Sequence, residues 1–323
     1  MQKLILAVFL FAATILNAQP VKIHGQLHVD KTQLKDVHGN TVVLRGMSLS
    51  WPNLDKDFKF YNDGAVKWLC QDWYITVIRD AMNVDTKNGY LAQPEKSKAK
   101  VEEVIDAAIK EGIYVIIDWH CSHIRLNEAK GFFAEIAKKY GKYPNIIYEI
   151  FNEPEHDSWA DVKAYSTEII STIRAIDKNN IILVGSPRWD QSLNLPADDP
   201  ITGYKNLMYT LHYYAGGHKQ KLRDVANYAL DKGLPLFISE SGGMNADGKG
   251  DIDIEEWHKW IDWSEEHKIS WVTWALADKN ETCSVLKPQA ASEGGWGMAD
   301  LKESGILVRE FLRKLNSAKN RSR

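Results

Sequence analysis

Eight short apolar runs alternate along the chain with stretches of helical periodicity, and this alternation limits the folds that the sequence can adopt. The runs are continuously apolar, which is typical of parallel strands covered on both faces. Eight such strands, alternating with helices, predict an α/β fold of the (β/α)8 TIM barrel type, with an open doubly wound sheet as the alternative. The predicted strands are residues 42–47, 75–82, 114–119, 146–151, 181–185, 207–211, 234–239 and 269–276.

The stretches between the runs carry apolar residues three and four positions apart, which predicts amphipathic helices. No glycine-rich phosphate loop follows any predicted strand, which counts against a nucleotide-binding doubly wound sheet. A short N-terminal β-hairpin is predicted from residues 26–29 and 33–37, and residues 188–205 are predicted to be mostly loop. The helical patterns lie near residues 101–109, 132–140, 162–176, 222–230, 254–267 and 306–315.

Length and charge are those of one catalytic domain. The chain has 323 residues, 44% of them hydrophobic and 26% charged, which suits a single barrel. We expect residues 19–323 to form that barrel as a single domain. A net charge of −3 gives no electrostatic reason to expect nucleic acid or an anionic membrane as a partner.

The N-terminus has the pattern of a signal peptide over residues 1–18. Lys3 precedes an apolar run over residues 4–16, and small residues precede a cleavage point before Gln19. We therefore expect a secreted protein, extracellular or periplasmic, that is free of the membrane after cleavage. The chain has three cysteines, and we expect no structural disulfide because a core of this size does not need one.

Polar side chains follow the predicted strands at the ends that meet around one mouth of a barrel. The fourth strand leads into Asn152-Glu153-Pro154, which taken alone is more typical of a solvated turn than of an active site. The seventh strand ends in a second carboxylate, Glu240. The other predicted strand ends supply Ser48 to Trp51, Arg79, Asp118 to His123, His212, Tyr214 and Trp274.

Two carboxyls with these neighbours are suited to glycoside hydrolysis, in which one carboxyl carries a proton and the other is ionised. Arg79 can hold one of them ionised, and a Trp face can support a sugar ring. Each residue also has a structural interpretation: Arg79 as a salt bridge and Trp274 as core. His120 and His123 could bind a metal, and Cys121 with His120 could act as a thiol nucleophile, but neither pattern is accompanied by further ligands or acylation groups.

The sequence resembles glycoside hydrolase family 5, and most closely its bacterial endo-β-1,4-glucanases of subfamily 2. The resemblance extends from about residue 25 to about residue 315. The Asn-Glu-Pro and Ser-Glu segments, together with the His-x-Tyr pair between them, are its most specific signals. The matching segments are residues 44–48, 77–79, 115–120, 147–154, 211–216, 237–240 and 269–274.

The resemblance implies a retaining enzyme that hydrolyses internal bonds of cellulose and related β-glucans. Glu153 would be the acid/base and Glu240 the nucleophile. Neither a cofactor nor a metal is implied, and we expect a monomer. The other implied roles are as follows: Arg79 and Tyr214 orient Glu240, His212 supports Glu153, Asn152 and His120 bind the reacting sugar, Trp274 forms its floor, and Lys279, Trp51, Trp189 and His123 contact sugars further out.

Two departures from the family pattern concern substrate choice. Residues 82–84 stand where many relatives carry a Tyr, and residues 50–52 align only loosely. Both segments are at sugar-binding positions, so a β-mannan or a mixed-linkage β-glucan is an alternative substrate. A barrel that binds glycan without cleaving it is a further alternative, although binding alone would not require both carboxyls.

Overall fold

The computed structural model describes residues 19–52 and 55–317, so the predicted signal peptide, residues 1–18, lies outside the described residues. Ten strands are present. Two form a small antiparallel sheet, and eight form a closed parallel barrel. The strands are β1 (His28–Asp30), β2 (Gln33–Lys35), β3 (Arg45–Leu49), β4 (Val77–Asn83), β5 (Tyr114–His120), β6 (Ile146–Glu149), β7 (Ile181–Val184), β8 (Leu207–Tyr214), β9 (Leu236–Gly242) and β10 (Trp271–Leu276).

Helices cover the barrel between its strands, and their apolar faces pack against it. The fourth helix, for example, buries Phe132, Phe133 and Ile136 on one side. The helices are α1 (Pro20–His24), α2 (Asp63–Trp68), α3 (Pro94–Glu111), α4 (Leu126–Tyr140), α5 (Trp159–Ile176), α6 (Pro187–Asp190), α7 (Asn194–Asp198), α8 (Gln220–Asp231), α9 (Ile254–Glu266) and α10 (Glu303–Leu315), with short 3-10 helices at Asp55–Phe60 and Met298–Asp300 and a π-helical turn at Leu69–Trp73.

Pairing between the first and last barrel strands decides between the two predicted folds. β10 pairs in parallel with β3, with Trp271 opposite Arg45, and also pairs with β9. The sheet therefore closes on itself, which confirms the TIM barrel and excludes the open doubly wound sheet. The N-terminal hairpin is also confirmed, because β1 and β2 pair antiparallel with Val29 opposite Leu34.

Element bounds differ from the predicted ones mainly at the mouth of the barrel. β8 and β9 run on to Tyr214 and Gly242, beyond the predicted ends, because ladder hydrogen bonds join backbone groups and do not require apolar side chains. Residues 188–205, predicted to be mostly loop, contain α7 and most of α6.

A layer of apolar side chains fills the lower part of the barrel. It includes Val77, Ile116, Ile147 and Phe237, all of which are buried. The barrel is tightly closed beside it, since a Cβ atom added to Gly46 would lie 1.8 Å from the backbone oxygen of Val77. Only glycine allows β3 to approach β4 this closely.

The structure also bears on the expected absence of a disulfide and on whether a helix could span a membrane. No disulfide joins Cys70, Cys121 and Cys283, all three of which are buried in the described part of the chain. Within residues 19–52 and 55–317, none of the helices combines the length and the apolar character needed to span a bilayer.

Candidate active site

A polar layer lies directly above the apolar layer of the barrel, because side chains two positions apart on a strand share one face. Val77 is followed by Arg79 on β4, Ile116 by Asp118 on β5, and Ile147 by Glu149 on β6. Arg79, Asp118 and Glu149 are all completely buried. The alternation that builds the core thus also places charged groups on the barrel axis.

A β-bulge in β9 brings two consecutive residues to the barrel interior. Thr210 lies opposite Phe237 and His212 opposite Glu240, so three steps along β9 match two along β8. The extra residue interrupts the usual alternation of faces. As a result both Ser239 and Glu240 face the polar layer, where each forms hydrogen bonds.

Both carboxylate oxygens of Glu240 accept a hydrogen bond from a buried donor. Arg79 Nη1 lies 2.8 Å from Oε2, and the Tyr214 hydroxyl lies 2.6 Å from Oε1. Burial and the nearby Glu240 carboxylate raise the pKa of Tyr214, so its hydroxyl stays protonated and donates. Two donors, one of them cationic, therefore fix the orientation of the Glu240 carboxyl group.

The Arg79 guanidinium is shared by three carboxylates. It donates to Glu149 at 2.7 and 3.2 Å and lies 2.9 Å from Asp118 Oδ2, in addition to its contact with Glu240. Burial opposes ionisation of Glu149, but the Arg79 charge and hydrogen bonds from His212 and Arg79 lower its pKa below the usual value. Asn152 Oδ1 accepts from Arg79 Nη2 at 2.6 Å, which fixes the side-chain amide at the mouth.

Glu153 has a different environment from Glu240. Its Oε1 lies 2.8 Å from His212 Nδ1, and its side chain is 21% exposed where that of Glu240 is 7% exposed. One carboxylate oxygen from each Glu and one ring nitrogen of His212 lie within 4.8 Å of one another. Glu153 is therefore the more solvent-exposed of the two carboxyls.

Aromatic rings form one wall of the site. The His120 ring stacks on Trp274, with centroids 5.3 Å apart and an interplanar angle of 10°, and the centroid of the Trp51 ring also lies 5.5 Å from that of His120. His120 Nδ1 lies 2.7 Å from Asp118 Oδ2. Burial, and then the Arg79 charge, lower the pKa of His120 to about 4, so this ring is neutral near pH 7.

Three predicted sugar contacts lie towards the rim. Lys279 Nζ donates to Ser50 Oγ at 2.9 Å and so supports the loop that carries Trp51. Trp189 is 40% exposed, and its backbone N–H donates to the backbone oxygen of Pro154, next to Glu153. The His123 side chain is exposed, outside the buried group around Arg79.

Two alternative chemistries find little support in this geometry. Burial raises the pKa of the Cys121 thiol well above its ordinary value, and the thiol donates to the backbone oxygen of His123, so it is a poor nucleophile. Among the described residues, the one trio close enough to share a metal ion is Glu153, His212 and Glu240, and His123 is not part of it.

Comparison with known proteins identifies the family. Residues 35–280 match the model of the cellulase family, glycosyl hydrolase family 5. The chain belongs to glycosyl hydrolase family 5. It is 40% identical to an endoglucanase of Clostridium saccharobutylicum over 98% of this chain and 73% of that protein. It is 43% identical to endoglucanase A of Evansella cellulosilytica, over 85% of this chain but only 57% of that protein.

Solved structures agree with this assignment to family 5. A structure from Cytophaga hutchinsonii is 45% identical, with a TM-score of 0.91 over 95% of this chain and all of that one. The catalytic domain of Thermobifida fusca endoglucanase Cel5A is 35% identical, with a TM-score of 0.87 over 92% of this chain and all of that one.

Four acidic or polar residues of this family 5 site had no predicted role. The carboxylates of Asp118 and Glu149 form ion pairs with Arg79. The Ser239 hydroxyl forms hydrogen bonds with both His212 and Glu149. Asp190 Oδ2 lies 3.4 Å from His212 Nε2. A charged residue inside an apolar run, two positions after an interior-facing residue, is the signal that could have identified Asp118 and Glu149.

Proposed function

We propose that this chain is a retaining endo-β-1,4-glucanase that acts on cellulose and related β-glucans. The observation that carries the proposal is the unequal environment of two carboxyls whose oxygens approach within 4.8 Å. Retaining glycosidases place their carboxyls about 5 to 5.5 Å apart, whereas inverting enzymes leave about 6.5 to 9.5 Å for a water molecule. An approach within 4.8 Å supports the retaining arrangement.

The roles of the two carboxyls follow from their partners. Glu240, held by Arg79 and Tyr214, attacks the anomeric carbon, and the bond to the glycosidic oxygen breaks as Glu153 donates its proton to that oxygen. This forms a glycosyl ester on Glu240 and releases the leaving sugar. Glu153, now ionised, removes a proton from water. The hydroxyl attacks the anomeric carbon, and Glu240 departs as a carboxylate.

The remaining residues bind the substrate in this proposal. Asn152 contacts the hydroxyl at C2 of the reacting sugar, His120 contacts the same sugar, and Trp274 forms its floor. Outer sugars lie on Trp51 and Trp189 and contact further side chains at the rim, namely Lys279 and His123. The exposed ring of Trp189 and the aromatic wall support this arrangement.

Relatives support the choice of β-glucan. The curated relatives described above are endoglucanases, and a variant of Thermobifida fusca Cel5A, 34% identical to this chain, has been solved in complex with cellotetraose. A β-mannan differs from cellulose at C2, where the hydroxyl is axial. Initial rates on soluble cellulose, mannan and mixed-linkage glucan compare the three substrates, and faster hydrolysis of mannan would contradict the proposed preference.

Reducing-sugar release from carboxymethyl cellulose tests the reaction itself. The unmodified protein should be active, and Glu240→Gln and Glu153→Gln should each lose about 10³-fold or more. Glu135→Gln is the matched control, since this exposed α4 residue only pairs with Lys98 and should keep full activity. Proton NMR of the first product should show the β-anomer. An α-anomer first, or an active Glu240→Gln variant, would contradict the mechanism.

We also propose that the protein is exported and acts as a monomer without a cofactor. The pattern of residues 1–18 supports cleavage before Gln19. N-terminal sequencing of protein recovered outside the cytoplasm should begin at Gln19, and a sequence that begins at Met1 would contradict export with cleavage. Light scattering on the purified protein should give the mass of one chain.

A further inference from the structure

A continuous series of hydrogen bonds joins the two catalytic carboxyls beneath the mouth of the barrel. His212, which contacts Glu153, and Arg79, which contacts Glu240, both lie beside Glu149. Every side chain between the two ends is almost completely buried. The series runs from Glu153 through His212, Ser239, Glu149 and Arg79 to Glu240.

The direction of each hydrogen bond follows from Glu149. An ionised carboxylate only accepts, so the Ser239 hydroxyl, 2.7 Å from Glu149 Oε1, must donate to it. Ser239 Oγ also lies 2.9 Å from His212 Nε2, and because its proton is already directed to Glu149, it must accept there. Nε2 therefore carries a hydrogen. The other ring nitrogen, Nδ1, faces Glu153 Oε1 at 2.8 Å.

The charges around the series place Glu149 at its centre. Glu149 shares Arg79 with Glu240, and it lies 3.6 Å from His212 Nε2. Two further acids face the same groups. They are Asp118, 2.9 Å from Arg79 Nη2, and Asp190, 3.4 Å from His212 Nε2. Removal of the Glu149 charge would leave Arg79 and His212 with a less negative environment, and this would favour ionisation of both catalytic carboxyls.

Given the proposed function, we infer that Glu149 and Ser239 are positioning residues that act on the two carboxyls to different extents. Ser239 accepts a hydrogen bond from His212 Nε2 and so holds the imidazole ring with Nδ1 towards Glu153, which means that it acts on the acid/base alone. Glu149 orients Ser239 on one side and divides the charge of Arg79 on the other, so it acts on both Glu153 and Glu240.

Two aryl β-cellobiosides separate these effects. Dinitrophenol leaves without a proton, whereas phenol requires one from Glu153. In Ser239→Ala, kcat/KM should fall about ten-fold or more on the phenyl substrate and less than about three-fold on the dinitrophenyl substrate. In Glu149→Gln, both should fall about ten-fold or more, and both limbs of the pH profile of kcat/KM should move to lower pH.

These readouts do not depend on how much of a variant is folded. The ratio of the kcat/KM values on the two substrates and the position of a limb of the pH profile are both independent of the concentration of active enzyme. Glu135→Gln serves as control and should change neither. Equal losses on both substrates in Ser239→Ala, or unmoved limbs in Glu149→Gln, would overturn this inference alone. An unmodified protein that cleaves neither aryl cellobioside nor cellulose would instead overturn the proposed function.

Discussion

Arg79 Nη1 donates a 2.8 Å hydrogen bond to Glu240 Oε2 at a point where the two side chains are 0% and 7% exposed. At such depth a lone carboxylate would be strongly disfavoured, and a lone guanidinium equally so. The pair is stable because Arg79 also donates hydrogen bonds to Glu149 and Asn152, and these partners replace the water that the buried guanidinium has lost. One cation thus pairs with the buried Glu240 and orients it at the same time.

Arg79→Lys should nearly abolish activity. A lysine ammonium cannot reproduce the planar fork that serves Glu149 and Glu240 together. We expect kcat on carboxymethyl cellulose to fall about 10³-fold and the free energy of unfolding in urea to fall by about 3 kcal/mol, since one ammonium leaves some of the buried oxygens around Arg79 without a donor. Lys98→Arg, which changes an exposed pair with Glu135, is the reverse exchange on the surface and should leave both quantities unchanged. Retention of a tenth of the activity in Arg79→Lys would contradict this view.

Tyr214→Phe removes one donor from Glu240 and leaves the ring in place. The hydroxyl lies 2.6 Å from Oε1, and its loss makes the ionised carboxylate less favourable. We expect kcat/KM to fall about 10²-fold and the acidic limb of its pH profile to move to higher pH. If the acidic limb of the Tyr214→Phe profile stayed where it is in the unmodified protein, the Tyr214 hydroxyl would not influence the ionisation of Glu240. Tyr228→Phe, on an exposed residue of α8, provides the control.

The titration of His120 should make the protein less stable in mild acid. Burial and Arg79 lower the pKa of His120 from 6.5 to about 4, so the unfolded chain binds a proton that the folded protein does not. This contribution to stability is complete above pH 6.5 and is lost as the pH falls towards 4. We expect a loss of up to about 3 kcal/mol between those limits.

Urea unfolding of His120→Gln against the unmodified protein measures this contribution. A glutamine can still donate to Asp118 but does not titrate, so the difference in unfolding free energy between the two proteins should vary with pH in the predicted window. His38→Gln, at an exposed position in the N-terminal region, is the control. A difference that stays constant from pH 7 to pH 4 would contradict the assignment.

Chelation should leave turnover unchanged. The proposed reaction needs two carboxyls and a water molecule, and a cation on Glu153, His212 and Glu240 would occupy the groups that transfer the proton and attack the sugar. Dialysis against EDTA followed by assay on carboxymethyl cellulose should therefore give full activity. Loss of activity that one divalent ion restores would show that the protein uses a metal.

Gly46→Ala should destabilise the barrel at the contact between β3 and β4. The added Cβ would lie 1.8 Å from the Val77 backbone oxygen, so a strand must shift, at about 3 kcal/mol or more. Gly131→Ala is the matched control, since its Cβ meets nothing within 4 Å in the middle of α4 and should stabilise by about 0.5 to 1 kcal/mol. Thermal and urea unfolding measure both. Equal stabilities for the two variants would contradict the close approach.

Apolar runs and helical stripes were sufficient to predict the barrel and the N-terminal hairpin, because burial on both faces of a parallel sheet leaves a direct pattern in the sequence. Glu153 and Glu240 could be named as candidates because each follows such a run. Glu149 and Ser239 were not assigned a role, because both lie within predicted strands, where their interior orientation depends on the register and on the bulge at β9.

By itself the sequence determined the order of strands and helices and the set of polar groups at one end of the barrel. Only the tertiary structure decided that the sheet closes, that Ser239 and Glu240 both face the interior, and that Arg79 serves Asp118, Glu149 and Glu240 at once. The physical reason is distance along the chain. Periodicity is a local property, whereas the sharing of one charge among strands 39 to 161 residues apart depends on register and closure, which no local pattern records.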